Sequence, residues 1–232
     1  MIRAIVFDFD GVLANSEPLH FQAFRDVLAD EGIDLSERDY YARYLGFDDA
    51  GSFEAIAADR GVTWSGADTA RLIAKKAALM ERLERDISVL FPGAADIIRA
   101  AAARMPIGIA SGALGPEIRR VLDRERLTAC FTAIVAAGDT PASKPAPDPY
   151  LRAVALLNEA TSAGVQPHEC AAVEDSRWGI ESARNAGLWT VGVAQTYAPE
   201  SLQNAHVIIK SIGEFDAVRL DELFRIRTPD RI

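Results

Sequence analysis

Sulfur and histidine are scarce in this chain. Two cysteines, Cys130 and Cys170, lie in different apolar segments without CxxC spacing. They offer no disulfide framework and read as two buried free thiols in a reducing cytoplasm. The three histidines are scattered and show no zinc spacing. Positive charge is also short: 25 Lys and Arg face 34 Asp and Glu, a formal net charge of −9. Nucleic acids and anionic membranes need a basic stripe, so this balance disfavours both, and neither is expected as a partner. An anionic substrate would have to be met locally, by a bound cation or a few well-placed basic residues. No stretch approaches the ~20 apolar residues of a membrane span. The apolar run that opens the chain is too short for a signal h-region and is stopped by acids. Repeats, low-complexity segments and Pro/Gly/Ser-rich linkers are missing too. The 232 residues, 49% of them hydrophobic, suit one domain, or one carrying a smaller insert.

What is present is an alternation. Short apolar, β-branched runs predict strands at 2–8, 107–111, 133–138, 170–174 and 189–194, with a weaker one at 206–209. Continuous rather than alternating hydrophobicity suits parallel strands covered on both faces. Helices lie between them: Pro116 opens one, Asp148 with Pro149 starts another, and "SRWGIESARNAG" runs from Ser176 as N-cap to Gly187 as the terminating glycine. This order predicts an α/β fold with a doubly wound, Rossmann-like parallel sheet. From about residue 15 to 88 the rhythm breaks and only helical periodicity remains. Phe21, Phe24, Val27 and Leu28 form one stripe, Phe53 and Ile56 another, and "ADTARLIAKKAALMERLERD" is a long helix. The prediction is a helical domain at 15–88 inserted into a core of 1–14 and 89–232.

Chemistry gathers just after the strands. In "IRAIVFDFDG" the first strand ends in Asp8 and Asp10, which at i and i+2 share a face while Phe9 turns into the packing. Two such carboxylates repel, so one must protonate or both must share a cation. The carboxyl end of a central parallel strand is where open α/β sheets bind ligands, and Gly11 lets the backbone turn closely there. Glu174 and Asp175 close the run "CAAV" in the same way. Carboxylates from two strand ends make the all-oxygen environment that Mg²⁺ prefers. Ser111 and Gly112 stand at a strand-to-helix turn suited to a phosphate, although such a turn is often only a turn. Lys144 lies in "SKPAPDP", where flanking prolines are expected to hold an extended loop and aim the lysine at a phosphate.

In order, these segments read DFDGV, ASG, SKPAPDP and VEDSRWGIESARNAG. That series resembles the haloacid dehalogenase superfamily over the whole chain, and the insert resembles the helical cap of its subfamily I. "DFDGVLANSEPLH" and "PGAADII" are similar to the branch of sugar-phosphate phosphatases and β-phosphoglucomutase. The resemblance implies Asp8 as the nucleophile that becomes an aspartyl phosphate and Asp10 as general acid and base. It implies Ser111 and Lys144 on the phosphoryl oxygens, with Gly112 in the same turn. Mg²⁺ would be held by Asp8, the Asp10 carbonyl and Asp175, with Glu174 as ligand or close support. Glu17 and His20, at the start of the insert, are candidates to face the leaving group. The expected activity is hydrolysis of a small phosphorylated metabolite by a cytoplasmic monomer or small homo-oligomer.

The alternative is a phosphosugar mutase. Mutases of that branch carry a cap arginine after a glycine and a serine-lysine pair after the second motif, where this chain has Gly46-Phe47-Asp48-Asp49 and Ala113-Leu114. Acids there would repel a phosphate, with Arg43 or Arg60 as conceivable substitutes. A phospho-acceptor signalling domain is the third reading. It also has acids after strand one, and Asp139 follows strand three, but "WTVGVAQTYAP" lacks its required lysine.

Overall fold

The computed structural model describes residues 1–45, 47–85, 87–162 and 164–227. The chain divides into two compact units, Met1–Asn15 with Leu90–Ile232, and Ser16–Val89.

The first unit is built on strands β1 (Ala4–Phe7), β2 (Ile107–Ala110), β3 (Ala133–Val135), β4 (Cys170–Glu174), β5 (Trp189–Val193) and β6 (Val207–Ile209). They form one parallel sheet in the order β3-β2-β1-β4-β5-β6. The chain winds outward from β1 to β3, then returns to β4 on the other side. The crevice between the carboxyl ends of β1 and β4 is therefore the switch point of a doubly wound sheet. Most strands are shorter than their apolar runs. Main-chain pairing still reaches past three of them, with Asp8 N–H donating to the Val173 carbonyl at 2.9 Å, Ser111 N–H to Val135 at 3.0 Å and Ala194 N–H to Ile209 at 2.9 Å. After Asp8 and Ser111 the backbone turns, which puts both of these side chains at the sheet's rim.

Along the chain the helices are α1 (Glu17–Asp30), α2 (Glu37–Asp39), α3 (Asp49–Arg60) and α4 (Gly66–Leu83) in the insert. In the sheet unit they are α5 (Ala94–Ala102), α6 (Gly115–Arg124), α7 (Asp148–Thr161), α8 (Arg177–Asn185) and α9 (Ala217–Arg227). α7 lies against β2 and β3, and α8 against β4 and β5. Asp148 was expected to cap α7, but the helix begins one residue earlier, with Pro147 at the N-cap position and no side-chain cap. Pro149, which fixes a helical φ, holds that start instead. Ser176 does cap α8, accepting from Gly179 N–H at 3.1 Å.

No strand occurs among the described residues of the insert. Phe24, Val27 and Leu28 of α1 meet Phe53 and Ile56 of α3 and Leu72 of α4 in one buried cluster, with Phe21 at its margin. Helix ends follow from local chemistry: Asp48 accepts from Gly51 N–H at 2.8 Å, and Ser65 with Asp68 forms a capping box on α4. The long periodic run predicted through Asp86 is helical to Leu83; Asp86 itself lies outside the described residues, as does Gly46. In the sheet unit the two chain crossings lie side by side. Ala14 bridges antiparallel to Leu90, and Phe91 N–H donates to the Leu13 carbonyl at 2.9 Å.

Candidate active site

At the switch point, Asp8, Glu174 and Asp175 are all buried and offer carboxylate oxygens within 4.8 Å of one another. Asp8 and Asp175 come from the ends of neighbouring strands, and Glu174 is the last residue of β4. The Asp10 carboxylate is not in that group; its predicted contact was through the backbone carbonyl. Asp10 does not share a strand face with Asp8 at i and i+2, as expected, because β1 ends at Phe7 and Asp10 already belongs to the turn. Its proximity to Asp8 comes from that turn, where Gly11 has φ of +75°. A Cβ on Gly11 would run into the Asp175 carboxylate and the Thr196 hydroxyl. The glycine is what lets β4's acid close on the β1 turn.

Lys144 sits among these acids, 3.0 Å from Asp8 Oδ1 and 2.6 Å from Glu174 Oε1. Its loop is not extended, as predicted, but a tight turn closed by Ala146 N–H to the Ser143 carbonyl, with a cis Lys144–Pro145 peptide at its centre. Glu174 Oε1 also accepts from the Tyr150 hydroxyl at 2.6 Å, and a Cβ on Gly179 would overlap its carboxylate. Glu174 is thus wedged between Lys144, Tyr150 and the start of α8.

Burial pushes the Asp8 carboxyl up; Lys144 pulls it back and Glu174 and Asp10 push further, leaving it at about 7. Burial alone would lower the Lys144 ammonium, but Asp8 and Glu174 outweigh it and hold the lysine above its usual range. The Tyr150 hydroxyl is raised by burial and by Glu174, so it stays a donor. Three buried carboxylates with one lysine leave excess negative charge in a small volume. That donor set, all hard oxygen, fits a small divalent cation.

Ser111 stands at the carboxyl end of β2, beside β1, and its oxygen accepts from Ala113 N–H at 3.1 Å. One of the backbone donors expected to cradle a ligand is therefore used, while the serine hydroxyl can still donate. Gly112 is exposed, and a Cβ there would meet nothing. Asp139 accepts from Ala136 N–H at 2.9 Å and serves its own turn.

Glu17 and His20 belong to the insert. Glu17 accepts from the Tyr40 hydroxyl at 2.5 Å. His20 Nδ1 lies 2.6 Å from Lys76 Nζ, which also pairs with Asp49 Oδ1 at 2.5 Å. Lys76 has no exposed surface. Sequence reasoning passed over Lys76, because "LIAKKAAL" reads as a charged helix face, and over Tyr150, a core aromatic by pattern. The repulsion expected from Asp49 is muted by Lys76. Cys130 is half-buried rather than buried, Cys170 is buried, and both are free.

The family model for haloacid dehalogenase-like hydrolases matches residues 2–187. β-Phosphoglucomutase of Bacillus subtilis (strain 168) is 30% identical over 240 residues, covering 97% of this chain and 98% of that protein. Hexitol phosphatase B of Escherichia coli O157:H7 is 29% identical over 212 residues, covering 91% and 90%. The crystal structure of a β-phosphoglucomutase from Clostridium difficile superposes with a TM-score of 0.86 at 24% identity, covering 98% of this chain and 99% of that one, which speaks for the fold. The strand-end acids and lysine thus sit in a chain that matches one family over most of its length. It belongs to the haloacid dehalogenase-like hydrolases.

Proposed function

We propose that this enzyme is a Mg²⁺-dependent phosphoric monoester hydrolase that acts on a small phosphorylated metabolite, a sugar phosphate or a phosphoglycolate-like compound. The observation that carries the reading is Lys144 set between Asp8 and Glu174 in a buried acidic cluster at the switch point. The Asp8 carboxylate attacks phosphorus, and the bond to the leaving oxygen breaks as Asp10 gives that oxygen a proton. Asp10 then takes a proton from the water that attacks the aspartyl phosphate, which returns Asp8 and releases phosphate. Lys144 and the Ser111 hydroxyl hold the phosphoryl oxygens and offset their charge. Asp8, Glu174, Asp175 and the Asp10 carbonyl would hold Mg²⁺, which supplies charge neutralisation between two anions. The substrate class is supported by a relative named as a hexitol phosphatase. Two free thiols support a cytoplasmic setting.

A relative named β-phosphoglucomutase makes a mutase the second reading. A mutase must grip a distal phosphate with cationic groups. In the insert, Arg43 pairs with Asp59 at 2.5 Å, Arg60 donates to the Asp34 carbonyl at 3.1 Å, and Lys76 is engaged by Asp49 and His20. These commitments support water as the acceptor. The test incubates enzyme and Mg²⁺ with β-glucose 1-phosphate and a trace of glucose 1,6-bisphosphate, beside a panel of sugar and hexitol phosphates. Inorganic phosphate should appear with at least one ester, and both EDTA and Asp8→Asn should abolish it. Rapid glucose 6-phosphate formation with almost no phosphate release would overturn the hydrolase reading.

A further inference from the structure

Gln195 leaves the carboxyl end of β5 and reaches back across the sheet unit to the turn that carries Asp10. Its Nε2 donates to the Gly11 carbonyl at 2.8 Å and the Val12 carbonyl at 2.9 Å, while its Oε1 accepts from Ile212 N–H at 3.0 Å. Both amide hydrogens and the carbonyl are used, and only one orientation of the amide satisfies all three partners. The turn's own main-chain bonds run from Gly11 N–H to Ala14 and from Leu13 and Ala14 N–H to Phe9. They leave the Gly11 and Val12 carbonyls to side chains from β5's end: Gln195, and the Thr196 hydroxyl at 3.3 Å from Gly11 O. Next along, the Tyr197 ring meets Trp178 edge-on, with centroids 6.3 Å apart, which ties the same loop to the start of α8 beside Asp175.

Resting on the aspartyl-phosphate reading above, we propose that Gln195 is a positioning residue for acid–base catalysis by Asp10. By clamping the two carbonyls that follow Asp10, its amide fixes the turn from which the Asp10 carboxyl gives its proton to the leaving oxygen as the P–O bond breaks. Asp8 needs no such clamp. Its backbone is already in the ladder through Val173, and its Oδ1 accepts from Phe9 N–H at 2.8 Å.

That difference gives a test a merely structural role would not pass. Gln195→Glu keeps the acceptor and the shape but cannot donate; Gln195→Met keeps the length and loses both functions. kcat/KM is measured for the sugar phosphate turned over fastest in the panel and for p-nitrophenyl phosphate, whose phenolate departs without a proton. With the sugar phosphate the variants should lose about thirtyfold or more, and with p-nitrophenyl phosphate less than about threefold, because only the first needs the acid. Equal losses on both esters, or no loss on either, would overturn the proposal. If one variant does not fold, the other decides. Asp8→Asn runs alongside: loss of both esters there keeps the covalent reading whatever Gln195 does. Retained turnover by Asp8→Asn would sink that reading and the role of Gln195 with it.

Discussion

In the proposed mechanism the Asp8 carboxylate has to be ionised to attack, yet the protein groups around it hold its proton up to about pH 7. Burial raises this carboxyl above its unfolded value near 3.8, so the folded state prefers the protonated form. The stability this contributes is present below pH ~4 and is lost as pH rises through about 7. In EDTA, the protein's melting temperature should therefore fall between pH 5 and pH 8, and that of Asp8→Asn should fall less. Added Mg²⁺ should flatten the parent's slope, because a cation favours the ionised acid. Parallel curves for parent and variant would mean that Asp8 ionises freely and needs no cation. The pair DFD was readable because acids at the end of an apolar strand are conspicuous. The charged neighbours that set the Asp8 proton, Lys144, Glu174 and Asp10, were visible too; Tyr150, which donates to Glu174, looked like any core aromatic.

Among the helices of the insert, a buried lysine is the unusual component. Lys76 Nζ touches Asp49 and His20 and lies 4.9 Å from the centroid of the Phe24 ring. Asp49 Oδ2 is buried without a hydrogen-bond partner, so one oxygen already depends on the lysine's charge. Lys76→Met should destabilise the protein by about 3 kcal/mol in urea unfolding, since it strands a mostly buried carboxylate. Adding Asp49→Asn should recover part of that loss. A cost below about 0.5 kcal/mol would show that the pair is solvated enough to be neutral. The helices themselves were legible from the stripe at Phe24, Val27 and Leu28 and from caps such as Ser65. Strand ends were legible at β4, where the acids stop the apolar run at Glu174, but not at β3, where the apolar run continues past the last ladder residue into Ala136. The clamp at Gln195 was invisible for another reason. It joins positions far apart in sequence, and a glutamine carries no pattern.

For the molecule as a whole, the neighbouring exits at Ala14 and Leu90 have a topological meaning. To the sheet, everything from Ser16 to Val89 is one long hairpin loop closed by adjacent residues. Loop-closure entropy grows only with the logarithm of length, about 0.6 kcal/mol for each doubling. Replacing residues 16–89 by a four-residue turn should relieve the sheet of only about 2–3 kcal/mol. The shortened chain should keep a cooperative unfolding transition with the near-ultraviolet signal of its packed Trp189. A molten product would show that the insert supplies packing as well as length. Because closure depends so weakly on length, helices can be added to or taken from this loop with little effect on the register of β1 and β2. The part of the chain most free to diverge is then the part that carries Glu17, His20 and Lys76.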